Sequence, residues 1–199
     1  MNFVRMTYEK IIESDDLKSY DNKGLTIFIA FGIIGQLLRV LSSGQLIDAT
    51  SIEIAIVFIK GLFVGFISHF ILYYLNGAVT SFVSSKLGGV ASNVETRIGH
   101  AIGLFPFLVL NVGLLILHII LLAIGYLTSN LALTLINHGP DFEFIEYLRN
   151  TCRLITVGLT SYTIARINKF GLVKGFISCY WFLLLALPLW LFLLFKSAT

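Results

Sequence analysis

Four polar side chains interrupt the most apolar parts of this chain: His69, Asn76, Asn111 and His118. In hydrocarbon such groups need partners, and ionisable ones often line a path for an ion or substrate. An imidazole could relay protons there, and an amide could coordinate a passing ion. No Asp or Glu accompanies them deep in an apolar run, whereas proton- or cation-coupled transport ordinarily uses a carboxylate. The histidines also lack the close spacing of a metal site. Interhelical hydrogen bonding is the plainer use of all four.

A second constellation lies in the segment 84–97, Ser-Ser-Lys-Leu-Gly-Gly-Val-Ala-Ser-Asn-Val-Glu-Thr-Arg. Gly88 or Gly89 can adopt the positive φ that ends a helix. Ser92 and Glu95 have the spacing of a capping box, which opens one. The spacing therefore predicts a helix running to about Leu87, a tight turn, and a new helix from near Asn93. Lys86 and Arg97 flank glycine amides at that helix start, an arrangement able to hold an anion such as a lipid phosphate or an acidic partner. A purely structural turn accounts for the same residues. The pattern GxxxxGK[ST] is absent, so no nucleotide site is expected.

Catalysis finds no candidate set, because neither a serine–histidine–acid trio nor paired carboxylates appear; the chain is not expected to be an enzyme or to need a cofactor. Cys152 and Cys179 sit in apolar surroundings without a CxxC pattern and read as small buried hydrophobes. A net charge of +3 does not suggest nucleic acid.

The elements that must position these residues are apolar stretches. Hydrophobic residues make up 57% of the chain and charged ones 13%, against roughly 25% charged in a soluble domain. Five runs stand out: Leu25–Leu41, Ile54–Val83, Ala101–Leu127, Cys152–Ile167 and Gly175–Phe195. Spanning hydrocarbon takes about 20 such residues in a helix, which keeps every backbone hydrogen bond internal. The expected fold is all-α, a polytopic membrane bundle of about five transmembrane helices. Residues 25–199 form one membrane domain, preceded by a cytoplasmic segment over 1–24 in which Phe3–Ile12 can form an amphipathic helix. Phe142–Leu148 reads as a helix on the outer face, begun by Gly139–Pro140.

The fourth run is the shortest. Only twelve uncharged residues separate Arg153 from Arg166, about 18 Å of helix, so crossing requires both arginines to snorkel. A re-entrant helix is the alternative. If all five runs cross, the connections carrying Lys86, Arg97, Arg166, Lys169 and Lys174 share a side with the basic N-terminal segment. The positive-inside rule makes that side cytoplasmic and the C-terminus external. Small residues recur four apart at Gly61/Gly65, Gly99/Gly103 and Gly171/Gly175, which lets helix backbones approach within a chain or between copies. Gly61, Gly65 and Ser68 offer the best face for a homo-oligomer. Pro106 and Pro188 each remove a backbone donor and should kink their helices.

Taken together, Lys86-Leu87-Gly88-Gly89, Arg97, Leu104-Phe105-Pro106-Phe107, the basic link within Arg149–Lys174 and the final run with Pro188 resemble the Yip family of small multi-spanning proteins, named for interaction with Ypt/Rab GTPases. The resemblance covers residues 72–194. The eukaryotic trafficking members' Asp-Leu-Tyr-Gly-Pro and Met-Pro-Thr-Leu-Gly motifs and their long cytoplasmic N-terminal region are missing. Rab binding is accordingly not expected, and the chain looks more like compact prokaryotic relatives, in an inner membrane. Two functions compete. One is a scaffold or adaptor that oligomerises, binds a cytoplasmic protein and organises or senses the bilayer, with a stress or defence sensor as a variant. The other is a transport subunit for an ion or lipid, with its path near His69, Asn76, Asn111 and His118.

Overall fold

In a computed structural model, the structure describes residues 17–42, 51–128 and 141–181. All secondary structure among them is helical. A 3-10 turn, Leu17–Tyr20, leads into α1 (Asp21–Ser42), followed by α2 (Ser51–Lys86), α3 (Asn93–Thr128) and α4 (Asp141–Ile167); a last helix, α5, covers 172–181. The Phe3–Ile12 segment, Gly139–Pro140 and Pro188 lie outside the described residues.

Three stretches are long and apolar enough to cross a membrane: Leu17–Val40, Ala55–Lys86 and Asn93–Leu117. With 36 residues each, α2 and α3 are about 54 Å long at 1.5 Å per residue, well beyond the ~30 Å hydrocarbon layer. They differ in surroundings. Only 11% of the most apolar window of α2 is buried within the protein, against 39% for α3. Phe63, Phe70 and Ile71 of α2 are exposed, as suits a helix facing lipid. The third helix continues through Pro106, whose missing N–H leaves the Ile102 carbonyl without its usual donor.

Phe142–Leu148 is helical and forms the first turns of α4, which is continuous from Asp141 to Ile167. No Gly or Pro stands between Tyr147 and Arg153 to break it, and the Arg153 guanidinium donates to the Asn150 side chain at 2.9 Å along the helix.

Contacts group the chain into two compact units. Among the described residues, the first holds 17–21, 74–103 and 157–181. In it α2 and α3 form a hairpin, α3 packs antiparallel to α4, and α4 packs antiparallel to α5. Glycines set these approaches. A Cβ at Gly77 would stand 2.6 Å from the Cβ of Arg97, one at Gly103 would stand 2.6 Å from the Cα of Thr160, and one at Gly175 would stand 2.8 Å from the Cβ of Ala165. The second unit holds, of the described residues, 22–42, 51–73, 104–128 and 141–156. There α1 and α2 run antiparallel with their backbones in contact: a Cβ at Gly65 would stand 2.8 Å from the Gly32 carbonyl oxygen. Aromatic rings fill the rest, with Phe28 beside Tyr73 at 5.4 Å and Phe31 beside Phe107 at 5.5 Å.

Candidate functional site

The end of α2 is built by the glycines that follow it. The Gly89 amide donates to the Ser84 carbonyl at 2.8 Å and the Gly88 amide to the Ser85 carbonyl at 3.2 Å. Gly88 has φ +86°. These two bonds and the left-handed residue make a Schellman motif, which satisfies carbonyls that the helix leaves open. Three residues on, the Ser92 amide and hydroxyl both donate to the Glu95 carboxylate at 2.7 Å, and the Glu95 amide donates back to the Ser92 hydroxyl at 3.3 Å. That is the expected capping box, and α3 begins at Asn93 as its spacing predicts.

A second turn packs on the first. At the end of α4 the Phe170 amide donates to the Ala165 carbonyl at 3.0 Å and the Lys169 amide to the Arg166 carbonyl at 3.1 Å. The pattern is the same Schellman motif, but the left-handed position is occupied by Lys169, at φ 57°. Asn168, 1% exposed, joins the two turns. Its carboxamide oxygen accepts from the Ala91 amide at 3.2 Å, and its nitrogen donates to the Ile164 carbonyl at 3.0 Å. Gly89 lies against this side chain and the Phe170 ring. From α5, Lys174 Nζ donates to the Leu87 carbonyl at 2.9 Å.

Arg97 is held from two sides. Its Nε donates to Asp21 Oδ1 at 2.7 Å and its terminal nitrogen pairs with Asp21 Oδ2. The guanidinium carbon also stands 4.6 Å from the centre of the Tyr74 ring. Such a forked, ring-stacked guanidinium is well matched to a carboxylate. The anion beside Arg97 is thus a carboxylate of its own chain. Lys86 is exposed, its ammonium 5.6 Å from the Phe82 ring centre.

The intramembrane polar residues are not gathered into one site. His69 lies between the rings of Phe28 and Phe31, at 6.1 and 5.6 Å, with Nδ1 3.0 Å from the Ser68 hydroxyl. That hydroxyl also donates to the Val64 carbonyl at 2.6 Å. The His69 ring occupies the space that a side chain at Gly32 would need. Asn76 is half-buried, and Asn111 is buried with its side-chain oxygen lacking a hydrogen-bond partner among the described residues. His118 lies further along α3. Among the described residues no hydrogen bond joins His69, Asn76 and Asn111, and no group of three or more His, Cys, Asp or Glu could hold a metal ion. Gly61 and Gly65 are both buried against α1, where a Cβ at Gly61 would meet Val40 at 3.6 Å. The face offered to a second copy is therefore covered within the chain.

Sequence reasoning passed over His100 and Asn168, read Lys174 only for orientation, and gave Asp21 no partner. His100 stands just ahead of the apolar run beginning at Ala101, yet it is buried inside α3 with Nε2 2.8 Å from the Thr80 hydroxyl. Asn168-Lys169 precedes Phe170-Gly171, and Gly171 is the residue that invites assignment as the helix stop. The left-handed residue lies two positions earlier. No family model, curated protein or solved structure matches this chain.

Proposed function

We propose that the chain is an integral membrane scaffold of about five spanning helices, without enzymatic activity, that presents one set of connections to a cytoplasmic partner. The observation that carries this reading is the joining of the 86–92 and 168–174 turns through Asn168. Separate connections are thereby fixed into one surface, which suits docking. Most of the described basic residues that charge asymmetry assigns to the cytoplasm also sort together. Lys18, Lys86, Arg97, Arg166, Lys169 and Lys174 belong to the first unit, whereas Lys23 belongs to the second with Arg39, Lys60, Arg149 and Arg153. The orientation proposed is N-terminus inside and C-terminus outside, in a prokaryotic inner membrane, and the Yip-like pattern around Gly88-Gly89 supports the same reading. Self-association is part of it, through a surface other than Gly61, Gly65 and Ser68, since α1 covers those glycines.

A transport subunit is the second reading, favoured by Asn111 Oδ1 and Thr156 Oγ1, buried acceptors in the second unit without partners among the described residues. Reconstitution separates the two. A scaffold gives no ion or lipid flux in sealed vesicles and retains a stoichiometric cytoplasmic protein in mild detergent. Flux that falls with Asn111→Leu would replace the scaffold with the transporter.

A further inference from the structure

In the first unit the two described acids are already engaged, Asp21 by Arg97 and Glu95 by Ser92. The cations around the joined turns face outward: Lys86, Lys169 and Lys174 are all exposed. Lys174 uses one of its three N–H donors on Leu87, which leaves two. Helix dipoles account for a cation near each helix C-terminus. They do not account for the apolar side chains set among those cations. Val90 is 68% exposed, Leu172 56% and Val173 72%, each in or beside a turn where water-facing residues would ordinarily be polar. Lys86 is also the first charged residue after Lys60 and so ends the uncharged part of α2, where a spanning helix can pass from hydrocarbon to headgroups. Outward cations interleaved with outward aliphatic groups, at the end of a spanning helix, match the boundary between acyl chains and phosphates.

We propose that the joined turns form an interfacial lipid-binding face, in which Val90, Leu172 and Val173 enter the acyl boundary and Lys86, Lys169 and Lys174 hold the phosphates of anionic phospholipids. The inference rests on the membrane embedding proposed above and adds to it a ligand class and a set of residues. Arg97 has no part in it, being committed to Asp21. Each lysine near an anionic leaflet contributes roughly a fivefold preference, and salt weakens it.

The test uses the full chain in mild detergent, offered phosphatidylglycerol and phosphatidylcholine in equal amounts, with retained lipid counted by native mass spectrometry. Wild type should retain phosphatidylglycerol selectively, less so at high salt. Lys86→Gln, Lys169→Asn and Lys174→Gln combined should lower that preference at least tenfold, while arginine at the same three positions should keep it. Because the neutral variant also removes the bond to Leu87, a second measurement is needed. A spin label at position 173, after replacing Cys152 and Cys179, should be reached by membrane-dissolved oxygen more readily than by an aqueous nickel chelate. Equal retention of the two lipids by wild type, selectivity unchanged in the neutral variant, or a water-exposed label would each overturn the proposal. Release of the wild-type chain from membranes by alkaline carbonate would instead defeat the embedding itself.

Discussion

Two helices of this chain end in the same pair of backbone hydrogen bonds, yet one has Gly88 at the left-handed position and the other has Lys169. An L-residue in that conformation costs roughly 1–2 kcal/mol more than glycine does. The glycine end is also crowded, since Gly89 next to it lies against Asn168 and Phe170. The lysine end is open: Lys169 is exposed, and a Cβ at neighbouring Gly171 would meet nothing within 4 Å. Closeness therefore selects glycine at 89 and backbone conformation alone favours it at 88, while at the other end a strained lysine is tolerated where its charge reaches outward. Strain of this kind is an observation from which a role for the side chain can be argued. The two ends thus divide the work, one fixing the turn and the other presenting charge.

The comparison breaks most visibly at Gly89. A Cβ there would stand 2.9 Å from both Asn168 Cγ and Phe170 Cε1, so Gly89→Val should force the turns apart and cost about 3 kcal/mol, at the upper end of overpacking penalties. Thermal unfolding in detergent reads this, and an unchanged midpoint would mean that the turns are not in contact. Asn168→Ala is the next largest effect. It deprives the Ala91 amide of its acceptor and removes a buried donor, for about 2 kcal/mol. Faster amide exchange at Ala91 should accompany it. Asn168→Ala with wild-type stability would show that packing alone holds the two turns together.

Much of the glycine end was legible in the sequence, because its signals are local. Gly88-Gly89 and the spacing of Ser92 to Glu95 act through backbone groups a few residues away, and the α2–α3 hairpin follows from them. The pairing of Arg97 with Asp21 spans 76 residues, and no local pattern announces it. Asn168 meets Ala91 across 77 residues for the same reason. The small-residue pairs were legible as close approaches but not as to partner, because a glycine states that a backbone comes near and not whose. Gly65 meets Gly32 of its own chain. Likewise, nine of the eleven buried polar residues among the described ones, such as Thr80, Thr96, Ser161 and Ser178, lie in the first unit. Several bond carbonyls of their own helix, as Ser161 bonds that of Val157 and Ser178 that of Lys174, so their hydroxyls give no sign in the sequence of which helix they face.

The smallest effects come from exchanging the two left-handed residues. Gly88→Ala should destabilise by about 1 kcal/mol, the penalty of a Cβ at positive φ. No neighbour lies within 4 Å of that Cβ, so conformation alone is measured. Lys169→Gly should do the reverse and stabilise, by about 0.5 kcal/mol, because relief of the left-handed strain is partly offset by the greater chain entropy that glycine loses on folding. A change of that size moves the unfolding midpoint by only 1–2 °C or so, within reach of replicate measurements. Lys169→Asn separates conformation from charge, since Asn tolerates this conformation and carries no charge. If both variants at 169 stabilise the chain while losing preference for anionic lipid, the lysine is retained for its charge at a cost in stability. Destabilisation by both would mean that Lys169 is held by contacts within the protein, and the division of work between the two helix ends would fail.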